Sequence, residues 1–260
     1  MQTKIDIEIP RYRLDTMKII HISDLHVSSP NYQPEWGKKV VNFVNSQNPD
    51  LLVITGDLIN EGHIHEYEMW EEYFAQFNVD NHIIVPGNHD ARNDGWKIFE
   101  EKIGPRHPVW ENESVVIQGI DSSEPDLDDG NVGRHNYSKI RETMSVKGKV
   151  KILMMHHHLI PIPGTGRERQ IPADAGDVLE IIRQCGIHMV ISGHKHKNWI
   201  WNLEGTYFIS CGTSTSRRLK GNGYPSLMIY DIENGKLLAT NMNLRDNVLT
   251  KKLNVTLNLD

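Results

Sequence analysis

The chain has 260 residues, 38% of them hydrophobic, and a net charge of −6 with histidine neutral. These proportions support a buried core and weigh against a non-specific nucleic-acid binder, which carries a basic surplus. Two cysteines, Cys185 and Cys211, are too few for a disulfide framework and read as small core residues.

No apolar run approaches the roughly 20 residues that span a bilayer, and residues 1–14 hold no apolar signal-peptide core. The cytoplasm is therefore the expected location. Residues 17–23 (MKIIHIS) read as a buried strand with Asp24 at its exit. Residues 34–46 have helical spacing through Trp36, Val40, Val41 and Val44, and Asn48-Pro49 stops the helix. LLVIT at 51–55 is a second buried strand, followed by Gly56-Asp57. A helix is expected over 66–77, with Met69, Tyr73 and Phe77 at four-residue steps. Strand 82–85 ends in a Pro86-Gly87 turn, a short helix follows over 96–103, and strand 115–120 leaves at Asp121-Ser122. VKILMM at 150–155 runs straight into three histidines, then come a helix over 175–184 and a strand over 187–192 ending at Gly193.

The remainder reads as short strands, 199–203, 206–210, 226–232 and 236–242, with Asn234-Gly235 as a hairpin signal. The longest irregular stretches are 122–135 and 159–173, a length that usually marks a functional loop. Strand–helix alternation followed by a meander implies an α/β domain with more than one sheet. We expect a single domain over 1–260, in which 1–196 carries the metal-binding motifs and 197–260, mainly β, completes the second sheet.

Five short clusters each follow an apolar strand: Asp24-Leu25-His26, Gly56-Asp57, Gly87-Asn88-His89-Asp90, His156-His157-His158 and Gly193-His194-Lys195-His196. Taken singly they are turns and caps. Taken together they place metal-ligand side chains where α/β folds bind ligands, beyond the carboxyl ends of strands. In an extended chain residues i and i+2 point to one side, so Asp24 and His26 would share an ion, and His194 and His196 would repeat the device. Asp57 has two oxygens and can bridge two cations, and Asn88 adds a neutral oxygen. Imidazole and oxygen without thiolate suit Mn, Fe, Zn, Co or Ni better than a structural zinc site. Seven candidate ligands exceed the needs of one ion. Two ions about 3.5–4 Å apart, sharing Asp57, would lower the pKa of a bridging water and clamp a phosphoryl group.

The ordered set D-x-H, G-D, G-N-H-D, H and G-H-x-H, from Ile19 to His196, resembles the calcineurin-like metallophosphoesterase superfamily. The resemblance implies a four-layer α/β/β/α sandwich with a dinuclear site at the C-terminal ends of the strands. It implies Asp24, His26, Asp57 and His196 around the first metal, and Asp57, Asn88, His156 and His194 around the second. His89 would stand beside the leaving group, oriented by Asp90. Gly56-Asp57-Leu58 with Asn60-Glu61-Gly62 and Glu66-Tyr67 resembles the cyclic-nucleotide and glycerophosphodiester phosphodiesterase branch. That branch reads His-His-Pro at the fourth cluster. Here the proline waits until Pro161, so the ligand is one of His156, His157 and His158, with His156 first after the strand.

The implied activity is a metal-dependent phosphodiesterase in which a metal-bridging hydroxide attacks phosphorus in a small-molecule phosphoester. A phosphomonoesterase or a nuclease would share the chemistry. A non-catalytic scaffold would have lost ligands or His89, which this chain keeps. A homodimer stands among the options for the oligomeric state. His157, Arg167 and Arg169 are candidate substrate contacts, and Arg217-Arg218 pose the same choice between phosphate clamp and surface. His21 and His188 read as buried structural histidines and His63 and His65 as solvated ones. His135 and Asn136 lie within possible reach of the site, and Trp199–Trp201 reads as sheet packing.

Overall fold

A strand that is apolar along its whole length needs cover on both faces, and that requirement sets the layers of this molecule. The structure, a computed structural model, describes residues 16–166 and 170–259. In chain order β1 (Met17–Ile22), α1 (Pro34–Gln47), β2 (Leu51–Ile54), α2 (Ile64–Phe74), β3 (His82–Ile84) and α3 (Gly95–Lys102) form the first half. β1, β2 and β3 are parallel, with Ile19 opposite Leu51 and Leu52 opposite His82. Alternate residues face opposite ways. Ile19, Leu51 and Val53 enter a core between two sheets, while Ile20, Ile22, Leu52 and Ile54 pack under helices against Val40, Val44, Trp70 and Phe99.

The second half holds β4 (Val109–Glu111), β5 (Val115–Ile120), β6 (Ser123–Glu124), β7 (Leu127–Gly130), α4 (Tyr137–Thr143), β8 (Val150–Met155), α5 (Ala175–Cys185) and β9 (Met189–Ser192). Then come β10 (Asn198–Leu203), β11 (Thr206–Cys211), β12 (Ser226–Glu233), β13 (Lys236–Asn243) and β14 (Val248–Thr256). The second sheet has the order β10-β11-β9-β8-β5-β4, with β5, β8, β9 and β11 parallel. Its Ile117, Ile152, Met154 and Ile191 meet the first sheet, and Leu153, Met155 and Val190 pack under α4 and α5 with Ile140, Val178 and Ile182. Helices, sheet, sheet, helices: the four-layer α/β/β/α sandwich implied by the resemblance is observed.

The tail departs from expectation. Only β10 and β11 join the second sheet. β12, β13 and β14 extend the first, in the order β14-β13-β12-β1-β2-β3. The reason is the inner face of β12 and β13, where Met228, Tyr230, Ile232, Leu237 and Ala239 cover the core beside β1. The irregular stretch 122–135 contains the β6–β7 hairpin. α4 and β14 have no counterpart in the sequence reading. Cys211 is buried as expected, whereas Cys185 is half-buried. Among the described residues no helix is long and apolar enough to cross a membrane.

Candidate metal centre

The turns leaving β1, β2, β3, β8 and β9 meet at one end of the sandwich and carry all five clusters. Asp24, His26, Asp57 and His196 are buried, and one ligand atom from each lies within 4.8 Å of the others. His26 Nε2 is 3.1 Å from His196 Nε2 and 3.4 Å from Asp57 Oδ2, and His196 Nε2 is 3.3 Å from Asp24 Oδ1. A second group adjoins it. Asn88 Oδ1 is 3.1 Å from both His156 Nε2 and His194 Nδ1, these two nitrogens are 3.3 Å apart, and His156 Nε2 is 3.4 Å from Asp57 Oδ1. Asp57 thus turns one oxygen to each group.

Hydrogen bonding on the far side of each ring decides which atoms face inward. Carbonyl oxygens only accept, so His156 Nδ1–H donates to Thr55 O at 2.7 Å and His196 Nδ1–H to Arg218 O at 2.6 Å. Gln170 Oε1 receives Lys195 Nζ at 3.0 Å, which identifies it as the amide oxygen, so His194 Nε2–H donates to it at 3.1 Å. Each ring then presents a lone pair to the centre. Asn88 Nδ2 donates outward to Asp128 at 3.1 Å, so its oxygen also faces in. Lone pairs at 3.1–3.4 Å from one another repel unless a cation lies between them. His26 Nδ1 is buried without a partner, which leaves that ring no carbonyl anchor. The donor set, nitrogen and oxygen without sulfur, fits divalent first-row ions.

Electrostatics set the rings apart. Burial holds His26 and His194 well below the ordinary histidine range, hence neutral and able to coordinate. His156 differs: burial opposes the charged form, but Asp57 outweighs it and lifts the pKa to about 9, so a cation bound here would displace a proton from this ring. Burial works against the Asp57 carboxylate too, yet the histidines around it, His156 foremost, hold it well below the usual range.

The backbone is unusual. Asp24, His26, Asp57, His194 and His196 have φ of 51°, 46°, 54°, 70° and 52°, all left-handed. Non-glycine residues pay about 1–2 kcal/mol each for this. The extended geometry expected for D-x-H and H-x-H is therefore corrected. The turns are fastened instead by bonds from Asp24 N to Gly56 O, His26 N to Asp57 O and Thr213 Oγ1 to Asp24 O. One consequence is that His194 and His196 separate, one to each group. Glycine lets the turns approach: a Cβ on Gly193 would lie 1.9 Å from Ser23 Oγ.

His89 lies beside both groups. Its ring stands edge-on to His26 with centroids 4.7 Å apart. Its Nδ1 donates to Asn60 O at 2.6 Å. The expectation that Asp90 orients this ring is corrected. Asp90 accepts the amides of Leu58, Ile59 and Gly87 at 2.7–3.1 Å and so shapes the turn whose Asn60 carbonyl holds His89. His157 does not line the cavity as a substrate contact would; it packs behind a candidate ligand, with its ring centroid 4.5 Å from that of His194. It is buried between Ser122 Oγ and Asp128 O, where burial first and His156 second hold its pKa down to about 3. Its part is to seat the loop bearing Asp128. Arg167 and Arg169 lie outside the described residues. His63 and His65 are exposed and stack on each other, and Asn136 bonds Val132 O away from the centre.

Sequence reasoning missed several supports. Arg92 joins Asn60 O, Glu61 and Asp128, tying the carbonyl that holds His89 to the carboxylate that holds Asn88. Gln170 and Asp128 come from the two long loops, whose length was the one signal available. A cavity of about 290 Å³ opens over the centre, lined by Asp57, Asn88, His89, His194 and His196 together with Gln170, Arg218 and Lys220.

Comparison with known proteins is consistent with this geometry. The family described as calcineurin-like phosphoesterase matches residues 17–198. A probable cyclic nucleotide phosphodiesterase from Synechococcus is 25% identical over 209 residues, 75% of this chain and 80% of its own. One from Vesicomyosocius okutanii is 25% identical over 231 residues, 84% of this chain and 95% of its own. A probable glycerophosphodiester phosphodiesterase from Arcobacter nitrofigilis is 26% identical over 55% of this chain and 57% of its own. Among solved structures, GAP50, the anchor in the inner membrane complex of Plasmodium, superposes with a TM-score of 0.67 at 12% identity, over 94% of this chain and 89% of that one. Vps29 of Entamoeba histolytica complexed with zinc gives 0.52 at 18% identity, over 93% and 100%. These likenesses show a shared fold.

Proposed function

The chain belongs to the calcineurin-like phosphoesterase family, and from that premise we propose that it is a metal-dependent phosphodiesterase working with two first-row transition ions. The observation that carries this reading is the pair of inward-facing lone-pair groups that share Asp57. Asp24, His26, Asp57 and His196 would hold one ion, and Asp57, Asn88, His156 and His194 the other. When bound, such ions supply an activated water and positive charge for the phosphoryl oxygens.

The remaining work falls to side chains. His89, with Nδ1–H committed to Asn60 O, turns Nε2 toward the leaving oxygen, which it would protonate or stabilise as the imidazolium, through a proton carried on Nε2. The Arg92–Asp128–Asn88 chain keeps the carbonyl of Asn88 turned inward. Thr55 O, Arg218 O and Gln170 Oε1 fix the tautomers of three ligands, a role typical of groups behind metal-bound histidine. The preference for diesters rests on the relatives, named probable cyclic nucleotide and glycerophosphodiester phosphodiesterases.

The test is a turnover panel on metal-loaded enzyme with bis-p-nitrophenyl phosphate, p-nitrophenyl phosphate, cyclic nucleotides and glycerophosphodiesters. Diesters should be hydrolysed faster than the monoester, and the reverse order refutes the diesterase reading. His89→Ala should lower kcat by about 10²–10⁴-fold with metal content unchanged. Loss of metal in that variant would refute the role given to His89.

A further inference from the structure

Positive charge lines the cavity. Arg218 and Lys220 are part of its lining, together with His196 and Asp128. Asp128 is already engaged by Arg92 at 2.9 Å. Among the described residues neither Arg218 nor Lys220 has a carboxylate partner. The two arginines of the Arg217-Arg218 pair go separate ways. Arg217 turns aside to Pro30 O at 3.3 Å, whereas Arg218 faces the cavity.

The segment that carries them is fastened down. Arg217 N donates to Asn31 O at 2.9 Å, Leu219 N to Arg217 O at 2.8 Å, and Arg218 O accepts His196 Nδ1–H at 2.6 Å. Unpaired cations beside a site built to hold cations repel them, and an anion between the two relieves the repulsion. The phosphodiester group, with one negative charge, is accounted for by the ions and His89.

Resting on the phosphodiesterase reading, we propose that Arg218 and Lys220 form a subsite for a second phosphate on the substrate, so that the diester hydrolysed here carries a further phosphate group on one of its ester arms. Arginine suits this role because its planar fork meets two phosphate oxygens at once, and Lys220 adds a point charge at the rim.

The probe is a matched pair: thymidine 5′-(p-nitrophenyl phosphate) and the same diester with a 3′-phosphate. Metal-loaded wild type should show a kcat/KM about tenfold higher for the phosphorylated member, carried by KM. In R218Q/K220Q the ratio should fall to about one, with wild-type metal content. R218K, which keeps the charge and loses the fork, should fall between. Calorimetry gives a readout without turnover: thymidine 3′,5′-bisphosphate should bind about tenfold tighter than thymidine 5′-phosphate to wild type and equally to R218Q/K220Q. Equal kcat/KM for the pair in wild type, or a preference that survives in the double variant, overturns the subsite alone. Hydrolysis of neither member overturns the phosphodiesterase reading and the subsite with it.

Discussion

Replacing Gly87 by alanine perturbs the shared ligand through a single added carbon. Gly87 is not in the left-handed region, so the change carries no backbone strain of its own. The added Cβ would lie 2.3 Å from Asp57 Oδ1, 2.5 Å from Asp57 N and 2.9 Å from His156 Cε1. An ordinary C···O approach is roughly 3.3–3.6 Å, so the carboxylate must move by about 1 Å. Asp57 cannot give way freely, because Oδ1 also accepts His89 N at 3.0 Å and its backbone carbonyl takes His26 N at 2.9 Å. Crowding of this kind costs about 1–3 kcal/mol of stability. A displacement near 1 Å at a reacting centre costs about 10² in rate. G87A should therefore keep its circular dichroism, melt at a lower temperature, retain less metal by elemental analysis and lose about 10²-fold in kcat on bis-p-nitrophenyl phosphate. Gly176, in α5 with nothing within 4 Å of an added Cβ, is the control. G176A should be neutral or more stable by roughly 0.4–1 kcal/mol. Wild-type metal content and kcat in G87A would refute the claim that the turn after β3 fixes Asp57 by contact.

Q170L removes the acceptor that holds the His194 tautomer and should weaken binding of one metal equivalent about 10–100-fold, whereas Q170E keeps the acceptor and should restore it; manganese titration followed by electron paramagnetic resonance distinguishes the two, and equal affinity in Q170L and wild type removes Gln170 from the account. His21 sits between Tyr230 Oη and Thr55 Oγ1, and burial pushes its pKa down to about 3. An unfolded histidine takes up its proton near pH 6.5. Below that pH the unfolded state binds a proton that the folded state refuses, so stability falls as pH drops from about 6.5 toward 3. Between pH 7.5 and 5.5 wild type should lose about 1.4 kcal/mol more than H21Q in urea unfolding, and identical losses would show that His21 accepts the charge where it stands.

Strands covered on both faces are legible in sequence almost to the residue. VVIQGI at β5 and VKILMM at β8 are apolar but for Gln118 and Lys151, because helices lie on one side and a sheet on the other. α4 is not legible, since its seven residues bury Ile140 alone and offer no stripe. β14 is nearly all exposed and is held chiefly by backbone pairing with β13; only Leu253 and Val255 pack against the core, too short a pattern to mark a strand. At the centre, the order and type of Asp24, His26, Asp57, Asn88, His156, His194 and His196 foreshadow their convergence. The left-handed turns that deliver them do not show, because they depend on bonds from residues such as Thr213, about 190 positions away. Gln170 and Asp128 escaped for a related reason: each is one polar residue in a long loop, and only the folded chain shows which one touches a ligand.

The position of β1 bears on how this protein is made. It lies between β2, near it in sequence, and β12, where Met17 pairs with Ile232 and His21 with Met228. The family match stops at residue 198, but an expression boundary placed there would strip one edge of β1 of its partner and uncover the face closed by Tyr230 and Leu237. The smallest fragment that retains this cover runs past β13. On the ribosome β1 waits for β12, about two hundred residues later, before its sheet can close. Such distant pairing slows folding and prolongs exposure of apolar edges. Low temperature and slow induction should therefore raise the soluble yield of the full chain, and should not rescue a fragment ending at 198.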